Sequence, residues 1–195
     1  METQNTPTTE TNSQAQFEMG TTVIYGAHGK CTVTGIEMKK IGAENLNFYK
    51  LEPQKSPLSR SQKKDPAIWV PANTAKERGL RAPINAETID QVKAVLTSRE
   101  YFFSVEENWN SVLPKLENTI RLEGCIGLAK VVSYLFVLNY VAHRKAPVPN
   151  ADAVKYQEGI NKLLYRELAD VMNEHPKTIE QQMLKPMRQK LLPNN

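Results

Sequence analysis

Between residues 17 and 83 the apolar positions alternate with polar ones in short runs, and breakers separate the runs. The alternation predicts strands over Thr22–Tyr25 and over residues 31–38, 46–51 and 67–70, with turns at Gly26/Gly29, Gly42-Ala43, Pro53/Pro57 and Pro71. Residues 23–37, V-I-Y-G-A-H-G-K-C-T-V-T-G-I-E, read as two strands joined by a tight glycine turn. Residues 73–78 can form one helical turn closed by Gly79. Four or five short strands in about 65 residues predict a small, strongly bent, Tudor- or SH3-like β-barrel.

After Pro83 the period changes to 3.6. Ile89, Val92, Val95 and Leu96 mark a helix over residues 86–96, with Asn85 as its N-cap and Glu87 and Asp90 in its first turn. Val112, Leu113, Leu116, Ile120 and Leu122 mark the next, which tolerates Pro114 near its start and ends at Gly124. Residues 125–143 are apolar almost all round, as for a central buried helix. Residues 151–173 carry a stripe of Ile160, Leu163, Leu164, Leu168 and Val171, and a last helix starts at Pro176 and runs to about residue 192. The expected architecture is thus an α+β multidomain chain. It has a tail over residues 1–16, a barrel over residues 17–84 and an all-α domain of about five helices over residues 85–195.

Charge adds a little to this picture. The chain carries 25 Lys and Arg against 21 Asp and Glu, a net +4. The tail holds two acids and no base, whereas residues 17–84 hold eleven bases against six acids. A basic first domain before a near-neutral second one leans towards an acidic partner. The tail, rich in Thr, Gln and Asn, reads as disordered. Residues 53–66, P-Q-K-S-P-L-S-R-S-Q-K-K-D-P, read as an exposed basic loop between two strands.

Candidate chemistry is sparse. Cys31 and Cys125 stand far apart in unlike contexts, giving neither a disulfide framework nor a zinc spacing and fitting a reducing cytoplasm. Residues 1–16 lack the charged-then-apolar pattern of a leader, and the apolar run over residues 131–142 is too short to span a bilayer. No phosphate-binding loop, dinucleotide fingerprint or nucleophile elbow occurs. His28, His143 and His175 are scattered without the partners that a metal or a triad requires. Glu106 and Glu107 precede a helix and suit its dipole better than acid–base catalysis. The expectation is a cytoplasmic non-enzyme without metal, cofactor, membrane or small-molecule substrate.

One ordered set of motifs goes further. V-x-Y-x-x-H-G-x-x-x-V-x-x-I-E from Val23, then Tyr49-Lys50-Leu51, Val70-Pro71-Ala72 and Gly79-Leu80-Arg81, resembles the N-terminal module of the CarD/CdnL family of bacterial transcription regulators. That module is similar to the polymerase-interacting domain of the transcription-repair coupling factor. Asn108-Trp109 and Tyr165-Arg166-Glu167-Leu168-Ala169 resemble the helical domain of the same family. The resemblance implies a non-enzymatic binder of the RNA polymerase β subunit, docking through strand edges. It implies that Lys39, Trp69, Val70 and Pro71 face polymerase. It also implies that the helical domain lies on promoter DNA, without sequence specificity, at the upstream edge of the bubble. There Trp109 would be the minor-groove wedge that holds the open complex, with Lys115, Lys155 and Lys162 near phosphate. On composition alone Trp109 reads as a core or interdomain residue, and Trp69 as either an interface anchor or barrel filling.

The sequence departs from the family in three places. Gly26 stands where a proline commonly follows Tyr25, and residues 110–114 replace a basic cluster after Trp109. The loop over residues 55–64 is longer than usual. Fewer phosphate contacts imply weaker, less salt-dependent DNA binding. The alternative is a protein-interaction adaptor that binds polymerase or another partner without DNA.

Overall fold

The hairpin of residues 23–37 is built as its alternation dictates. In the computed structural model, which describes residues 16–54, 65–98, 100, 102–105, 107–145 and 150–190, strand β1 (Thr22–Tyr25) passes through a three-residue 3-10 turn, Gly26–His28, into β2 (Gly29–Ile41). Gly29 closes the turn at φ 67° and ψ −135°, a region only glycine occupies without strain. Strands β3 (Glu44–Pro53), β4 (Ile68–Pro71) and β5 (Leu80–Arg81) complete an antiparallel sheet of order β4-β3-β2-β1-β5. Val23, Cys31, Val33, Tyr49, Leu51, Val70 and Leu80 form its core, each no more than 1% exposed.

A β-bulge sets which residues face out. Val33 pairs with Leu51 and Gly35 with Lys50, so Thr34 is the extra residue, its hydroxyl donating to the Lys50 carbonyl at 3.3 Å. Beyond the bulge Ile36 turns inward, while Glu37 and Lys39 turn outward with Phe48 and Leu46 opposite them. The β2–β3 pair then continues past the core as a two-stranded ribbon, on which Met38 is 70% and Ile41 54% exposed.

The expected barrel is not formed: the sheet is open. Closure requires the two outermost strands to pair, and here both are short, four residues in β4 and two in β5. β5 contributes only the pairs Ile24–Arg81 and Tyr25–Leu80, and Arg81 then reaches into the helical half instead of meeting β4. Alternation within strands is the same for an open and a closed sheet, which is why it misled. The tail over residues 1–15 and most of the basic loop, residues 55–64, lie outside the described residues.

The helical half has four helices among the described residues, not about five. Helix α1 (Ala86–Thr97) starts on Asn85, whose side-chain oxygen accepts from the Thr88 amide at 3.1 Å and its hydroxyl at 2.8 Å. The helices expected on either side of Gly124 are the two arms of one continuous segment, α2 (Trp109–Lys145), which breaks there at a non-helical φ 60° and ψ −125°. Its two arms approach so closely that a Cβ on Gly127 would lie 2.4 Å from the Thr119 carbonyl oxygen. Helix α3 (Ala151–Met172) is capped by the Asn150 side chain and ends at Asn173 in the left-handed conformation, φ 52°. Helix α4 (Pro176–Lys190) runs through Pro186. Leu96, Val112, Leu116, Leu135, Leu164, Leu168 and Ile179 fill the bundle core.

Candidate functional site

On the outer face of the sheet, β4 sets Trp69 opposite Lys50 and Pro71 opposite Phe48. Lys39 reaches across from β2 to place its Nζ 3.1 Å from the Trp69 ring centroid and 5.8 Å from that of Phe48. Lys50 Nζ lies 5.8 Å from the Trp69 centroid. Two cations and the Trp69 ring thus make one cationic-aromatic patch above the buried Phe48, with the ring quadrupole holding Lys39 in place. Of the four residues expected on this face, Lys39 and Trp69 are in contact and Pro71 is half-buried beside them. Val70 is not on the face: its side chain is fully buried in the sheet core, leaving only its backbone to a partner. Lys50 and Phe48 were missed by sequence reasoning; strand register was the signal, and the bulge at Thr34 concealed it.

β4 lies at the end of the strand order, so one of its edges has no strand beside it among the described residues. That edge borders the Trp69 patch.

The second candidate region is the start of α2. Asn108 caps it: its side-chain oxygen accepts from the Asn110 amide, and its carbonyl from the amides of Ser111 and Val112, each at 3.0 Å. Trp109, the first residue of the helix, is half-buried, packs on the bundle core and meets the Tyr156 ring edge-on at 5.7 Å between centroids. Burial first, and the charge of Glu117 second, push the Tyr156 phenol up to about 12. Lys115 is exposed but paired, its Nζ 2.8 Å from Glu107 Oε2. Lys155 and Lys162 are exposed on α3, two turns apart; Lys155 adjoins Tyr156 and so lies at the Trp109 end. The structure therefore groups Trp109 with Tyr156, and gives Lys115 an acidic partner.

Among the described residues, no group of three or more His, Cys, Asp or Glu could hold a metal ion. A surface cavity of about 440 Å³ is lined by Gln181, Leu184, Lys185, Arg188 and Gln189 of α4, a set without carboxylate, thiol or hydroxyl. The segment Trp109–Tyr140 is long and apolar enough to cross a membrane, but 61% of its most apolar window is buried inside the fold. Burial raises the Cys31 thiol to about 11 and raises Cys125 further still, which suppresses thiolate chemistry at both. No family model matches this chain.

Proposed function

We propose that this chain is a CarD-like transcription regulator. In this reading the β4 edge and the Lys39–Trp69 patch dock on the RNA polymerase β subunit, and Trp109 holds promoter DNA open. The observation that carries it is the patch itself. A strand edge bordered by an aromatic ring and two lysines offers backbone hydrogen bonds for affinity and a cationic-aromatic pocket for side-chain selection. The motif set from Val23 to Ala169 adds the family resemblance. To act as a wedge, Trp109 leaves the edge of Tyr156 and stacks on unpaired bases, trading one aromatic partner for another. The test is a promoter-opening assay with purified polymerase: Trp109→Ala shortens the open-complex lifetime several-fold, and an unchanged lifetime removes the wedge. In a pull-down with the β subunit, Trp69→Ala weakens capture at least tenfold, and undiminished capture removes the docking face.

A second reading, an adaptor that binds a protein partner without DNA, is favoured by one observation. The cation nearest Trp109 in sequence, Lys115, is already neutralised by Glu107. Gel shifts on forked promoter DNA at low salt separate the two readings, because the adaptor shows no shift even there.

A further inference from the structure

The two halves meet through an ion pair between residues 86 positions apart. Arg81, on edge strand β5, gives both terminal nitrogens to Glu167 of α3: Nη1 to Oε1 at 2.6 Å and Nη2 to Oε2 at 2.7 Å. Glu167 is 6% exposed, one of the two buried polar residues among those described. Burial alone would lower the Arg81 guanidinium, but the hydrogen bond and charge of Glu167 hold it above its ordinary value. The kink of α2 closes the third side. A Cβ on Gly124 would lie 2.8 Å from both Cδ and Nε of Arg81, so the bare glycine is what lets the arginine pass. Around this centre Lys30 Nζ meets Asp170 Oδ2 at 3.1 Å, and Arg121 Nη1 donates to the Glu77 carbonyl at 2.9 Å.

We propose that the Arg81–Glu167 pair, enclosed by Gly124, locks the sheet and the bundle into one body and fixes the orientation of the Lys39–Trp69 face relative to the Trp109 entrance. Domains joined by modest interfaces move relative to one another by default. A fork-to-fork guanidinium–carboxylate pair permits one relative orientation, because both hydrogen bonds are lost together on rotation. A buried ion pair contributes little stability over apolar residues of similar size, so its use here is geometric. Arg81, Glu167 and Gly124 are positioning residues; the inference rests on the function proposed above only for what the two ends bind.

The test measures that orientation directly in the full chain. Spin labels are placed on cysteines introduced at Asn73, in the turn that follows β4, and Glu158, on α3; both positions are exposed, whereas the native thiols are buried. The parent gives a single narrow distance distribution. Arg81→Met combined with Glu167→Met keeps the fold, read from an unchanged urea midpoint, yet broadens that distribution at least twofold. A broad distribution in the parent, or a double variant as narrow as the parent, overturns the lock. Should the double variant not fold, Glu167→Gln, which keeps shape but removes charge, gives the same decision on the same readout. Neither polymerase nor DNA enters this measurement, so it fails or holds independently of the docking and promoter-opening assays.

Discussion

The two tryptophans of this chain are both half-buried, yet they stand in opposite surroundings. Trp69 lies on a sheet face with Lys39 and Lys50 against its ring; Trp109 starts a helix with Tyr156 and the bundle core against its own. In the first case the neighbours are charged and reach to solvent, so ring and cations form a ready surface. In the second the neighbours are apolar, so the ring is part of the packing and leaves it only at a cost. Partial exposure alone does not distinguish a docking residue from a packing residue. The chemistry of what touches the ring does.

The largest test of this contrast is stability. Trp109→Ala is expected to lower the unfolding free energy by about 2–4 kcal/mol, because it removes ring packing from the bundle and leaves Tyr156 without its edge contact. Trp69→Ala is expected to cost no more than about 1 kcal/mol. Urea unfolding of both variants checks this, and the reverse order would dissolve the distinction.

Alkaline pH sharpens it. Cys31 is raised to about 11 and Tyr156 and Tyr165 to about 12, all chiefly by burial. Their folded values exceed the unfolded ones, so stability is fully present below about pH 9. It falls as the unfolded chain ionises first and pH rises towards the folded values, by on the order of 2–3 kcal/mol per group. Urea midpoints measured from pH 8 to 11 should show this fall, and Tyr156→Phe should reduce it.

The smaller effects belong to the lysines. Lys39→Met should remove about 0.5–1 kcal/mol and shift Trp69 emission; emission identical to the parent would mean that the cation is not on the ring in solution. Lys115→Ala should cost less than about 1 kcal/mol and lose even that at about 1 M salt, since its pair with Glu107 is exposed.

Much of the local structure was legible. The alternation before Pro83 placed β1 at Thr22–Tyr25, and Asn85 stands as the helix cap that its position before the apolar stripe predicts. These are decided by residues within a few positions of one another. Three features were not legible because distant partners decide them. Whether the sheet closes depends on β4 meeting β5, the Lys39–Trp69 contact on the Thr34 bulge, and the Arg81–Glu167 pair on how the halves pack. Gly124 was readable as a helix end, but not as a kink whose bare backbone admits an arginine. At the candidate site, Trp69 and Trp109 stood out in the sequence, whereas Tyr156, Lys50 and Phe48 did not.

The ribbon of β2 and β3 past Glu37 and Phe48 carries one further consequence. Its ladder, down to the Ile41–Glu44 pair, is held by its own hydrogen bonds with no core beneath its tip. Opening the tip exposes almost no apolar surface, whereas opening the ladder at Val33–Leu51 exposes the centre of the sheet. Amide hydrogen exchange should therefore run as a gradient along a single pair of strands, fast at Ile41 and slow at Val33. The ribbon would then unzip and re-form many times within one lifetime of the folded domain.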